Sequence, residues 1–251
     1  MGWFDGFGSF ISGIGEMFTS GLSLVLDGIS GIAKSIGEGI KGICESIGTE
    51  GMILIGSIAL SLLIPGFGLP EILSIIQIVG QIAQMLNIGG KDSPEELGMK
   101  SEIADKKPDD FDTTEDYLKY LNTQVKLEPG AVEKLSEEER AKYGLIGSAL
   151  DIKAIHEKYH IELSPDFLRD VTIMKIPKEE VGAYVKEFEA KGLTKMQEMT
   201  DYLRGNAIDN DKDVIRTDIL DTMKSLYPEL SEEQLYDKLN EMESQLKNSD
   251  I

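Results

Sequence analysis

The sequence predicts an all-α protein in two parts, a glycine-rich apolar helical hairpin segment followed by an acidic multi-helix domain. Charge is divided along the chain. Residues 1–90 hold seven acids and only two bases, Lys34 and Lys41, whereas the remainder holds 38 acids and 23 bases. Apolar residues recur at helical spacing almost throughout, and few stretches alternate with the period of a strand. Residues 1–90 therefore read as one membrane- or assembly-inserting segment, 91–113 as a linker and 114–251 as a soluble acidic α-helical domain.

Aromatic rings crowd the start of the chain. Trp3, Phe4, Phe7, Phe10 and Phe18 include the single tryptophan and half of the eight phenylalanines. Rings of this kind suit a lipid interface or the inside of a protein contact.

An 11-residue repeat follows. Gly28 to Glu38 and Gly39 to Thr49 match at seven of eleven positions. This period suits a nearly straight or slightly right-handed helix. Projected at about 100° per residue, Ile29, Ile32, Ile36, Ile40, Ile43 and Ile47 fall within a sector of roughly 80° and form one apolar stripe. Beside it, Gly28, Gly31, Ser35, Gly39, Gly42 and Ser46 form a stripe without bulk, and Asp27, Lys34, Glu38, Lys41 and Glu45 occupy the polar side. Small residues let helix backbones approach closely. Each glycine costs a lone helix about 1 kcal/mol, so packing has to offset them. Gly28, Gly31, Gly39 and Gly42 are accordingly the expected contact with a neighbouring helix, most simply another copy of the chain.

Residues 52–64 are uncharged and end in Leu62 and Ile64. At about 1.5 Å per residue they reach roughly 20 Å, short of a bilayer core of about 30 Å. The run Pro65-Gly66-Phe67-Gly68-Leu69-Pro70 then breaks the helix. Residues 71–88 resume an apolar run, so a helical hairpin is expected, with Phe67 and Leu69 at its tip. Basic anchors are nearly absent before Lys91, unlike the flanks of resident spanning helices.

From Lys91 the composition turns polar. Asp92-Ser93-Pro94-Glu95-Glu96 supplies a helix start. Helices are expected near 114–124, 131–142, 145–160, 165–173, 178–190, 194–204, 214–226 and 232–247, two of them opened by Ser164-Pro165 and by Ser231-Glu232-Glu233-Gln234.

Whole-chain properties exclude several classes. A net charge of −20 disfavours nucleic-acid binding through a basic patch and electrostatic attraction to anionic lipid. Cys44 is the only cysteine, which excludes an internal disulfide framework. No basic region precedes the first apolar stretch, so a standard secretory signal is not expected. Gly2 stands where N-myristoylation needs it, but Gly6 replaces the Ser or Thr of that motif.

The two histidines lie in His156-Glu157-Lys158-Tyr159-His160. On a helix, ligands four apart share a face and can hold one ion, with the intervening glutamate activating a bound water. These five residues resemble the zincin motif of zinc metalloproteases. The resemblance would make His156 and His160 metal ligands, Glu157 the catalytic base, and Glu179, Glu180 or Glu187 the source of a third ligand. It departs from the family at bulky Lys158 and Tyr159 and in the break predicted directly after His160. An ordinary pair of helix-end histidines is the expected alternative.

Asp209-Asn210-Asp211-Lys212-Asp213 opens like a calcium loop, but Val214 and Leu220 stand where a glycine and a bidentate acid are needed. A turn capping the next helix is expected. The GxxG spacings lie along one helix rather than between a strand and a helix, so they do not cradle phosphate. No motif asks for a cofactor.

The leading expectation is a non-enzymatic membrane-penetrating or pore-forming component, with a virion or an injection particle as its setting. Its partners would be a lipid bilayer or other copies of itself, in a homo-oligomer or larger assembly, and its location membrane-associated or within a particle. The alternatives are a structural subunit with its amino-terminal segment buried in an assembly, and a membrane-associated metalloprotease.

Overall fold

The computed structural model describes residues 68–194, 196–207 and 212–249. The aromatic start, the isoleucine and glycine stripes, Leu62, Ile64, Phe67 and the acids Asp209 and Asp211 lie outside the described residues. Within them the chain forms nine α-helices.

Helix α1 (Leu69–Met85) begins where the Glu71 carboxylate accepts from the Gly68 amide at 2.7 Å, with Pro70 in the first turn. It is the central helix of the body. Ile72, Ile75, Ile76, Ile78, Val79 and Ile82 are buried to within 2% of complete burial. Leu69, expected at a hairpin tip, is the first residue of α1 and packs partly buried against the core. The chain then reverses through Asn87 and Gly89, both at positive φ.

Helix α2 (Pro94–Ile103) starts with a capping box in which Ser93 and Glu96 bond each other's backbone amides. After a short 3-10 turn comes α3 (Thr114–Gln124), capped by Thr113. A second 3-10 turn leads to α4 (Glu137–Tyr159), whose capping box is Ser136 with Glu139. These four helices pack on one another, and the contact between α2 and α4 is the most extensive in the body.

Helices α5 (Pro165–Ile173) and α6 (Lys178–Ala190) close over α1 from another side. Helices α7 (Gln197–Arg204), α8 (Lys212–Leu226) and α9 (Glu232–Ser249) pack beyond them. Two backbone hydrogen bonds, Glu162 to Thr194 at 2.7 Å and Met196 to Glu162 at 3.4 Å, tie the α4–α5 connection to the start of α7. A buried ion cluster joins α5 to α7. Asp170 is completely buried and accepts from Arg204 at 2.8 and 2.7 Å and from Arg169 at 3.1 and 3.0 Å.

Two divisions read from the sequence are corrected here. The stretch 71–88, expected as the second arm of an apolar hairpin, is the core helix α1 and the turn after it. The later helices supply apolar faces that surround it, so the boundary expected at residue 90 falls inside a continuous core. The stretch 91–113, read as a linker, contains α2, which buries Leu97 against α4. A smaller correction concerns residues 131–160. They form one helix from Glu137 rather than two, because Gly144 and Gly147 serve close packing against Ile76 and the Pro94 backbone instead of breaking the helix.

Candidate functional site

The five residues that resemble the zincin motif sit at the carboxy-terminal end of α4. The helix stops at Tyr159, and His160 takes a left-handed conformation at φ 58° while its amide donates to the His156 carbonyl at 2.9 Å. A left-handed residue is a common helix stop. It lets the chain turn so that Ile161 enters the core, completely buried. His156 and His160 are both exposed, with ring centres 6.5 Å apart and ring planes at 85°.

Glu157 is committed elsewhere. One of its oxygens accepts from the Thr114 amide at 2.8 Å; the other accepts from the Thr114 hydroxyl at 2.9 Å and from Lys153 at 2.7 Å. Thr114 is the first residue of α3, so Glu157 caps that helix and places negative charge at its amino-terminal end. Lys153 also donates to the Thr114 hydroxyl at 3.0 Å, and Lys158 pairs with Glu115 at 2.9 Å. The result is a polar clasp between α3 and α4. Partial burial pushes the Glu157 carboxyl upward, but the hydrogen bonds from Lys153 and Thr114 outweigh it and hold the group below the usual carboxylate range.

This arrangement does not suit a catalytic zinc. A general base that activates water needs a carboxylate aimed at that water and a pKa tuned toward neutrality, whereas Glu157 has both oxygens turned to Thr114 and Lys153 and a lowered pKa. No group of three or more His, Cys, Asp or Glu side chains placed to hold a metal occurs among the described residues, so Glu179, Glu180 and Glu187 do not complete a site with the histidines. Glu180 lies instead 3.5 Å from Lys238 of α9.

Sequence reasoning missed the clasp because its partners are 43 residues apart. The available signals were local: the Thr113-x-x-Asp116 start of α3, and Lys153 four residues before Glu157.

A cleft of about 500 Å³ opens between the start of α2 and the loop 125–133. Its innermost polar groups, on the α2 and α3 side, are engaged with one another or with backbone. Ser93 and Glu96 cap each other, Lys100 binds Asp92 at 2.5 Å, and the Asn122 amide donates to the carbonyls of Gly89 and Leu118. Nothing converges there on a ligand.

No described helix is long and apolar enough to cross a membrane. The aromatic and isoleucine positions expected to insert, and the glycines expected to pack, stay on the undescribed residues before Gly68. No protein-family model, curated protein or solved structure matches the chain.

Proposed function

We propose that this chain is a non-enzymatic membrane-penetrating or pore-forming component, which delivers its first 67 residues into a lipid bilayer from a folded acidic body. A virion or injection particle that carries it to a host membrane is the setting we favour. The reading rests on one contrast. Among the described residues the exposed large hydrophobics are Ile103, Val214 and Tyr236, on three different helices. The body thus keeps its apolar surface to itself, and those three scattered side chains offer no broad seat for the Ile29–Ile47 stripe or the Trp3–Phe18 rings. Lipid or other copies of the chain must cover them.

The glycine stripe supports a second reading, a structural subunit whose amino-terminal segment is buried against other chains in an assembly. Liposome flotation and dye release in the absence of detergent separate the two. The full chain is compared with an Ile36→Asp, Ile43→Asp double variant. Under the membrane reading the wild type floats and releases dye, and the double variant does neither. A wild type that ignores lipid yet forms homo-oligomers that the double variant cannot form gives the lead to the assembly reading.

A further inference from the structure

We propose that His156 and His160 form a surface binding site for one divalent transition-metal ion of the imidazole-preferring class, such as Cu²⁺, Ni²⁺ or Zn²⁺. Two protein nitrogens hold the ion and solvent fills its other positions. The proposal starts from what the clasp leaves over. Glu157 is bound by Thr114 and Lys153, whereas the two neighbouring histidines are exposed and no hydrogen bond or ion pair engages their rings.

The two rings lie within reach of a chelate. A metal–nitrogen bond of about 2.0–2.1 Å to each ring puts the centres of two adjacent ligands on one ion roughly 4.5 to 5 Å apart. The observed separation is 6.5 Å. Both side chains are exposed, so rotation about their side-chain bonds can bring the rings together without disturbing a packed neighbour. The backbone between them is already fixed by the His160 to His156 hydrogen bond of 2.9 Å and by the left-handed stop. The carboxy-terminal end of α4 adds negative partial charge, which favours a cation.

Imidazole also selects the ion. The many surface carboxylates attract hard cations such as Mg²⁺ and Ca²⁺, whereas a pair of neutral ring nitrogens favours Cu²⁺, Ni²⁺ and Zn²⁺. With only two protein donors the ion stays exchangeable and open to solvent. The site is therefore a docking point for a metal rather than a catalytic centre, and it rests on no assumption about the amino-terminal segment.

The test titrates Cu²⁺ into the full chain, read by electron paramagnetic resonance and calorimetry. The comparison variants are His156→Ala and His160→Asn. Asparagine tolerates the left-handed conformation, so the second variant keeps the helix stop while losing the ligand. The expected result is one exchangeable Cu²⁺ per chain with a two-nitrogen signature, its binding weakened at least tenfold by either substitution while circular dichroism and melting stay unchanged. Equal Cu²⁺ affinity in the wild type and a variant carrying both substitutions, or a signal with fewer than two ring nitrogens, would overturn it.

Discussion

Along less than two turns of α4, two carboxyl groups meet opposite environments. Asp151 is 3% exposed, and burial alone acts on it, pushing its pKa well above the ordinary value. The native group therefore keeps a proton that the unfolded chain releases. The stability linked to that proton is fully present below the unfolded pKa and falls as pH rises toward the native one. An Asp151→Asn variant should accordingly be more stable than wild type at pH 8, with the gap closing toward pH 4, in urea unfolding at both pH values. Glu157 has the reverse sign, because its native pKa is lowered. Its contribution is present above the unfolded pKa and is lost as pH falls through the native value. Glu157→Gln should cost about 1 kcal/mol at pH 7, a modest figure because the side chain is partly open to solvent, and the cost should shrink in acid. Asp170 is a third case, buried between two arginines. Asp170→Ala removes the completely buried carboxylate that both Arg169 and Arg204 bind and should cost about 3–5 kcal/mol in the same assay.

The contact of α2 with α4 depends on two glycines. A Cβ on Gly98 would strike the Tyr143 carbonyl, and one on Gly147 would strike the Pro94 carbonyl, so backbone meets backbone at both places. Alanine at either site gains about 1 kcal/mol of helix propensity. Relieving a backbone clash moves a whole helix, and overpacking of this kind costs about 1–3 kcal/mol or more. The clash wins, so Gly98→Ala should lower the melting temperature by several degrees, and a larger residue there should lower it further. These helices also show what the sequence makes legible. Where a cap and a proline mark the start, as at Ser164-Pro165, the expected and observed helix coincide at 165–173. Within 131–160 the glycines read as punctuation, although their role is close approach to another helix, which no local pattern reveals. The mostly helical character of the described residues was similarly readable. That Glu157 serves α3 was not, because Thr114 reaches it only through the tertiary fold.

For the molecule as a whole, the hardest question for sequence reasoning is which partner covers an apolar stretch. Residues 71–88 read as the second arm of a hairpin because they are largely apolar, with Gln77, Gln81 and Gln84 on one side, and such a helix is equally suited to lipid or to the middle of a protein. The answer came from elements farther along, since α4 and α6 provide the walls of its cavity. The energetic scale is large. Six branched side chains of α1 are essentially buried, and at about 2 kcal/mol each their loss would amount to roughly 12 kcal/mol. A domain of this size has a net stability of about 5–15 kcal/mol. Cutting the chain before Lys91 should therefore leave a fragment without a cooperative unfolding transition and with exposed apolar surface that binds a hydrophobic dye. Cutting it before Gly68 keeps α1 and its Glu71 cap, and that fragment should melt cooperatively with the helicity of the described body. Circular dichroism melts of the two fragments decide the matter. If the shorter fragment folded as well as the longer one, α1 would be dispensable to the core and free to join the first 67 residues at a membrane. If only the longer fragment folds, α1 is required by the body, and the segment proposed to insert is confined to the residues before Gly68.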